Sequence, residues 1–288
     1  MFIDKKTRII VQGITGTQGS FHTKQMLEYG TNIVAGVTPG KGKSVVEGIP
    51  VYNTVKEAVK NHNPEWSVLF VPAAHVKEAA FEALHANLNI CIISEHVPVH
   101  DAIAIIHLAQ QKKKIVLGPN CPGCITVGES KIGIMPNHIF KKGNVAVLSR
   151  SGTLTYEIVH HLSNEGIGQS SVIGIGGDPV VGTNFLDILP ILEKDERTKA
   201  IVLIGEIGGN LEEKTAEYIK KCIKKPVVAY IAGKTAPREK TMGHAGAVIS
   251  GKSGTAESKI KALKKVNIPI ATLPSEIVKL LRSRLNSA

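Results

Sequence analysis

Aromatic residues are scarce in this chain, with one Trp, five Tyr and six Phe among 288 residues. No stretch interleaves aromatics with cations in the manner of an RNA-binding surface. Cysteine is also sparse: Cys91, Cys121, Cys124 and Cys222 are too few to staple so long a chain, which excludes a disulfide framework. No apolar run approaches the ~20 residues that a membrane-spanning helix needs. The opening residues Met1-Phe2-Ile3-Asp4 lead at once into a strand pattern, with neither signal nor transit signature. The expectation is a soluble protein of a reducing compartment, bacterial-type cytoplasm or a processed mitochondrial matrix form.

What is present is globular in character, 43% hydrophobic and 20% charged. The formal net charge of +11 suits anionic partners: phosphorylated ligands, nucleic acid or an acidic protein surface. Against nucleic acid, the cations are scattered along the whole chain. Their densest runs, Lys112-Lys113-Lys114 and 220–225, fall at expected helix ends, where they complement the dipole.

Short β-branched runs alternate with helical spacing from end to end. Strands are expected over 8–12, 33–37, 66–71, 90–94 and 114–117, with helices over 22–29, 55–61, 77–86 and 99–112. After Gly118-Pro119-Asn120-Cys121-Pro122-Gly123 the pattern lapses, and it resumes near residue 144. Strands are then expected over 144–149, 171–175, 200–205, 226–232 and 269–273, with helices at 153–164, 183–192, 211–222, 254–265 and 274–285. Such alternation implies βαβ units on parallel sheets. The division expected is a domain over 1–121, a connection over 122–143 and a domain over 144–288.

The first strand runs into Gly13-Ile14-Thr15-Gly16-Thr17-Gln18-Gly19 and then a helix. Glycines at this spacing let backbone approach a phosphate and present helix N-terminal amides to it. An NAD site wants Asp or Glu about 20 residues further on, to hold the ribose diol. This chain has Thr38-Pro39-Gly40-Lys41-Gly42-Lys43 there, which suits a nucleotide with extra phosphate on its ribose. Gly42-Lys43-Ser44 is not a nucleoside-triphosphate loop either, because Val37 stands where that motif needs glycine. Cys121-Pro122-Gly123-Cys124 has no second Cys/His pair at zinc-ligand spacing and opens no helix, so it reads as an interdomain turn.

In the second half, Ser151-Gly152-Thr153 at a helix start serves as N-cap or as anion site. Glu206 precedes Gly208-Gly209 at a strand end, and Gly243-His244-Ala245-Gly246 leaves an imidazole unhindered among small residues. Imidazole as nucleophile, a carboxylate on its other nitrogen and helix amides for the phosphoryl oxygens together describe a phosphohistidine site.

These motifs carry a resemblance. The stretches 12–19, 36–42, 118–123, 131–136, 149–157, 174–179, 204–209 and 243–247 resemble, in order, those of succinyl-CoA synthetase α subunits. The resemblance implies an α/β fold: a Rossmann-like CoA-binding domain followed by a flavodoxin-like ligase domain. It implies that Thr15, Gly16, Thr17, Gln18, Lys41, Ile93, Ser94 and Glu95 contact CoA. By the same resemblance Tyr156 lies at the substrate site, His244 is phosphorylated and Glu206 pairs with it. It further implies a β subunit with an ATP-grasp site for Mg²⁺ and ADP/ATP or GDP/GTP, in an αβ or (αβ)₂ assembly. The implied reaction interconverts succinyl-CoA, phosphate and nucleoside diphosphate with succinate, CoA and triphosphate, as in the tricarboxylic acid cycle. His96 stands where the family commonly has Gly, and Lys43 and Cys124 also depart from its pattern. Two other readings fit parts of the pattern: another carboxylate–CoA ligase, such as malate–CoA ligase, and a non-catalytic CoA-sensing module. An NAD-dependent dehydrogenase is disfavoured by the missing acid after the second strand.

Overall fold

The structure is a computed structural model that describes residues 3–237, 242–249 and 254–285. The chain divides into two compact units. The first holds residues 2–137 with 180–182, and the second holds 138–179 with 183–288.

The first unit contains β1 (Ile9–Gln12), α1 (Thr17–Glu28), β2 (Ile33–Val37), β3 (Val45–Val46), β4 (Ile49–Tyr52), α2 (Val55–His62) and β5 (Trp66–Leu69). It continues through α3 (Val76–His85), β6 (Asn89–Ile92), α4 (Val99–Gln111), β7 (Val116–Leu117), β8 (Gly123–Thr126) and β9 (Ser130–Gly133). Its main sheet has the order β3-β4-β2-β1-β5-β6-β7. All pairs are parallel except β3 with β4. Counting only the parallel strands, the order is third, second, first, fourth, fifth, sixth, which is Rossmann topology with its switch point between β1 and β5. β1 and β5 are buried throughout, as a sheet covered on both faces requires. The strands Ile10, Leu69, Ile90 and Ile92 pack on Val76, Ala80 and Leu84 of α3 and on Ile105 of α4. Each Ile, Leu or Val among them contributes about 1.5–3 kcal/mol by leaving water.

The second unit contains β10 (Lys142–Ser149), α5 (Gly152–Asn164), β11 (Gln169–Gly174), α6 (Phe185–Lys194) and β12 (Ala200–Glu206). It ends with α7 (Leu211–Cys222), β13 (Val227–Ala232), α8 (Ala256–Lys265), β14 (Ile270–Ala271) and α9 (Glu276–Leu285). Its five parallel strands run β14-β13-β12-β10-β11. In chain order that is second, first, third, fourth, fifth, the flavodoxin-like arrangement, with its switch between β10 and β12.

Two hairpins escape the strand–helix reading. β3 and β4 turn at Glu47 and Gly48, both at positive φ (50° and 78°), as a two-residue hairpin turn demands. Glu is an unusual residue there, and Pro50 breaks the strand signal. The stretch 122–143 carries the β8–β9 hairpin, in which Gly123 pairs with Gly133. A Cβ on Gly123 would collide with the Ile132 carbonyl, so these glycines allow a close strand approach that composition presents as a loop. Pro122-Gly123, read above as an interdomain turn, is therefore the entry to β8. Cys91, Cys121 and Cys124 are buried, with 3.7 Å between the Cys91 and Cys121 sulfurs. The shared hydrogen bond with Cys121, and then burial, push the Cys91 thiol well up; burial does the same to Cys124.

Candidate active site

Each unit places its loops at the carboxyl ends of its parallel strands, where the switch point opens a crevice. In the first unit a cleft of about 690 Å³ lies there, lined by Gln12, Gly13, Thr15 and Gly16 at and after the end of β1, by Val37, Thr38 and Pro39 at and after the end of β2, and by Phe70, Val71 and Pro72 after β5. His75, Glu78, Ala79 and Glu82 close its far wall. Gly13 takes φ +77°, and a Cβ there would lie 2.7 Å from the Phe70 carbonyl oxygen. A Cβ on Gly19 would run into the Gly13 carbonyl, so α1 begins hard against the loop. Gly16 is the N-cap of α1 and offers no side-chain acceptor. The N–H groups of Thr17, Gln18 and Gly19 have no intrahelical partner by helical geometry.

Of the residues expected to bind CoA, Thr15 and Gly16 line this cleft and Thr17 and Gln18 open α1 beside it. Lys41 is exposed in the loop after β2, its amide bonded to the Thr38 carbonyl (3.1 Å). Ile93, Ser94 and Glu95 follow β6 and are not among the lining residues; the Ser94 hydroxyl donates to the Val71 carbonyl (2.5 Å), tying that turn to the cleft wall. The apolar wall of Phe70, Val71 and Pro72 was not singled out from sequence, because a short apolar run after a strand looks like more strand.

In the second unit β10 ends in a tight turn. The Ser149 hydroxyl donates to the Ser151 carbonyl (2.8 Å) and accepts from the Ser151 amide (3.0 Å). Ser151 then caps α5, its hydroxyl accepting from the Leu154 amide (3.3 Å). Gly152 and Thr153 keep amides without an intrahelical partner. Tyr156 lies one turn further along, half-buried.

Glu206 is the last residue of β12 and only 4% exposed. Its Oε2 accepts from Nδ1 of His244 at 2.8 Å. A carboxylate only accepts, so Nδ1 carries the proton and Nε2 holds the free lone pair. Two glycines make this contact possible. A Cβ on Gly177, after β11, would fall within the His244 ring, and one on Gly208 would overlap the Gly246 carbonyl. The histidine loop is pinned by Gly246 donating to the Gly177 carbonyl (3.0 Å) and by Ala247 donating to the His244 carbonyl (2.9 Å). The Glu206 hydrogen bond raises the His244 pKa above its ordinary value; burial opposes it, Asp178 adds to it and Arg150 reduces it.

Behind the pair lies a charge cluster that sequence reasoning missed. Arg150 Nε is 3.4 Å from Glu206 Oε1, and its terminal nitrogen is 3.3 Å from Glu212 Oε1. Lys259 pairs with the other oxygen of Glu212 and lies 3.4 Å from Glu213. Glu212 and Lys259 occupy α7 and α8 in sequences that read as solvated helix faces, yet both are 0% exposed. Burial was the only signal, and it belongs to the folded chain.

What the arrangement offers is a half-buried imidazole with a free Nε2, a carboxylate on its other nitrogen and a helix N-terminus in the same unit. Nine α-helices lie among the described residues, and all but α1 and α5 carry Asp or Glu in the first turn. In the two that lack one, no carboxylate of the helix itself faces its positive end.

Residues 4–96 match the pattern of a CoA binding domain, and residues 148–268 match that of a CoA-ligase. A protein of Staphylococcus aureus (strain N315), succinate–CoA ligase [ADP-forming] subunit alpha, is 58% identical over 278 residues, 96% of this chain and 92% of that protein. Its counterpart in Staphylococcus epidermidis (strain ATCC 12228 / FDA PCI 1200) is 57% identical with the same coverage. The solved structure of ATP citrate lyase from Methanothrix soehngenii, in complex with citrate and coenzyme A, matches with a TM-score of 0.92 at 25% identity. That match covers 100% of this chain and 51% of the lyase, so this chain spans about half the lyase's length. With a CoA-binding pattern ahead of a CoA-ligase pattern and 57–58% identity over 96% of its length to two staphylococcal subunits, the chain belongs to the succinate–CoA ligase α-subunit family.

Proposed function

We propose that this chain is the CoA-binding, phosphoryl-carrying subunit of a succinate–CoA ligase. The observation that carries the reading is the His244 Nδ1–Glu206 contact of 2.8 Å, which leaves Nε2 as the nucleophile. Residues 1–121 bind CoA, 144–288 perform phosphoryl transfer, and 122–143 lie between. The Gly13–Gly19 loop and acid-free α1 receive the pyrophosphate, and the apolar cleft wall suits the flat base. Thr15, Gly16, Thr17 and Gln18 supply the phosphate contacts, Lys41 the cation, and Ile93, Ser94 and Glu95 the further edge.

Phosphate held by the amides of Gly152 and Thr153 and by Ser151 displaces the thiol of succinyl-CoA and forms succinyl phosphate. Tyr156 borders the carboxylate. Nε2 of His244 then takes the phosphoryl group as the P–O bond to succinate breaks. Glu206 stabilises the positive charge that develops on the ring. The phosphohistidine passes its phosphoryl group to ADP or GDP, held with Mg²⁺ on a β subunit of an αβ or (αβ)₂ assembly in the cytoplasm. Among the described residues, no helix is long and apolar enough to cross a membrane.

The test is intact-mass spectrometry of the chain after incubation with its β partner, ATP and Mg²⁺. One acid-labile phosphoryl adduct is expected, absent in His244→Ala and discharged by succinate with CoA. Discharge by malate in preference to succinate would move the acyl specificity. CoA binding with no adduct would leave a CoA sensor.

A further inference from the structure

We infer that Glu212 and Lys259 are positioning residues for phosphoryl transfer: a buried ion pair that aims Arg150 at Glu206 and thereby sets the charge felt by His244. The inference rests on the phosphohistidine reading above and deepens it.

Glu212 is held from several sides. Its Oε1 accepts from the Glu206 backbone amide (3.2 Å) and meets Arg150 (3.3 Å), while its Oε2 faces Lys259. It thus grips both the main chain of Glu206 and the guanidinium that faces the Glu206 side chain. Lys259 is anchored in turn by the Gly209 carbonyl (3.2 Å) and by Glu213 (3.4 Å), whose other oxygen accepts from Ser258 (2.7 Å). Gly205 leaves room for this grip, since a Cβ there would stand 2.7 Å from Glu212 Cγ. Arg150 itself immediately precedes Ser151, the cap of the candidate phosphate site, so one residue links the two halves of the site.

A buried ion pair is a poor means of gaining stability, because desolvation offsets most of its attraction. It is a good means of fixing geometry and potential. Within the cluster three carboxylates, Glu206, Glu212 and Glu213, face two cations, Arg150 and Lys259. One negative charge is left over, the complement of the positive charge an imidazole ring carries once Nε2 is phosphorylated and Nδ1 keeps its proton. The groups that act on His244 are Glu206 from β12, Arg150 from the end of β10 and Asp178 after β11. Glu212 and Glu213 from α7 and Lys259 from α8 stand behind them.

The sign of each perturbation follows. Removing the Lys259 charge makes the surroundings more negative and draws Arg150 from Glu206 towards Glu212, so protonation of His244 becomes easier. Neutralising Glu212 makes the surroundings more positive, so protonation becomes harder. The experiment is the pH profile of chain phosphorylation by ATP and Mg²⁺ with the β subunit, for the parent, Lys259→Met, Glu212→Gln and the double variant. The apparent pKa is expected to rise in Lys259→Met and fall in Glu212→Gln, each by roughly half to one unit, and to return towards the parent in the double variant. The plateau rate should fall about tenfold in each single variant, equivalent to one lost aligned contact, and Lys259→Arg should restore most of it. Thermal unfolding followed by circular dichroism reports whether each variant folds. Should Lys259→Met fail to fold, Glu212→Gln and the double variant decide. Profiles that superimpose on the parent, whatever the plateau rate, overturn the inference. A parent without an adduct, or His244→Ala with one, overturns the phosphohistidine reading instead.

Discussion

The starts of α1 and α5 occupy equivalent places, each directly after the first strand of its unit's parallel sheet, and they present their free amides in different surroundings. At α1 the cap is Gly16, which has no side chain to spend on the helix, and no charged side chain lines the loop from Gly13 to Gly19. What that loop itself offers is backbone amides and shape. At α5 the cap is Ser151, which satisfies one amide itself, and the surrounding strand ends, loops and helices bring a histidine, two buried glutamates, an arginine and a lysine. A site that only holds a ligand needs geometry; a site that transfers a group must also govern protons. Both helices share the absence of an acid from the first turn, which the other seven among the described residues do not.

The largest effects should come from the side chain that has no counterpart in the first unit. Glu206→Gln should slow phosphorylation of the chain by about 10²- to 10⁴-fold, as loss of an orienting carboxylate does in other His-centred sites, with CoA affinity unchanged. Rapid-quench measurement of the adduct with radiolabelled ATP checks it. Loss of CoA binding in the same variant would break the separation of roles.

Steric probes come next and separate the two sites in opposite directions. Gly177→Ala pushes a methyl into the His244 ring, and phosphorylation should fall at least ~100-fold while CoA binding persists. Gly13→Ala forces a positive φ on an L-residue and crowds the Phe70 carbonyl. It should cost about 1–3 kcal/mol of stability and abolish CoA binding, while the chain remains a substrate for phosphorylation. Calorimetric titration with CoA and the adduct assay, run on both variants, give the crossed result or refute it.

pH offers a milder test. Because the Glu206 hydrogen bond raises the His244 pKa, the neutral nucleophile is depleted below that raised value. The phosphorylation rate should therefore rise with pH through a midpoint above the ordinary histidine value, and that midpoint should move down in Glu206→Gln.

The smallest effects test the shared feature. Gln18→Glu and Thr153→Glu each add an acid to the first turn of an acid-free helix, at exposed positions. Each should stabilise the unliganded protein by about 0.3–1 kcal/mol and weaken its own anion, CoA or phosphate, by about two- to fivefold. Thermal unfolding paired with ligand titration measures both. Stabilisation without weaker binding would mean that the helix ends do not face the anions.

Much of the site was legible because its chemistry lies in small, contiguous motifs at strand ends. Gly13 to Gly19, Ser151 to Thr153 and Gly243 to Gly246 are local in sequence, and the strand–helix alternation announces where such loops must fall. The lysine at position 41 in place of an acid separates this loop from a dinucleotide site without reference to any fold. The β3–β4 and β8–β9 hairpins were not legible, since Pro50 and paired glycines obscure the alternation that marks a strand.

The order of strands is where reading ends and folding begins. By itself the sequence determined that the chain is two runs of βαβ units, which loops are candidates for anion binding, and that His244 and Glu206 are the reactive candidates. Periodicity and local turn chemistry act over a few residues and are written into the chain. Only the tertiary structure decided that Glu206 and His244, 38 residues apart, meet at 2.8 Å. It alone removed Glu212 and Lys259 from water and stacked them behind the pair. Burial and long-range charge pairing are properties of packed elements, and a helix surface reveals neither until its neighbours are in place.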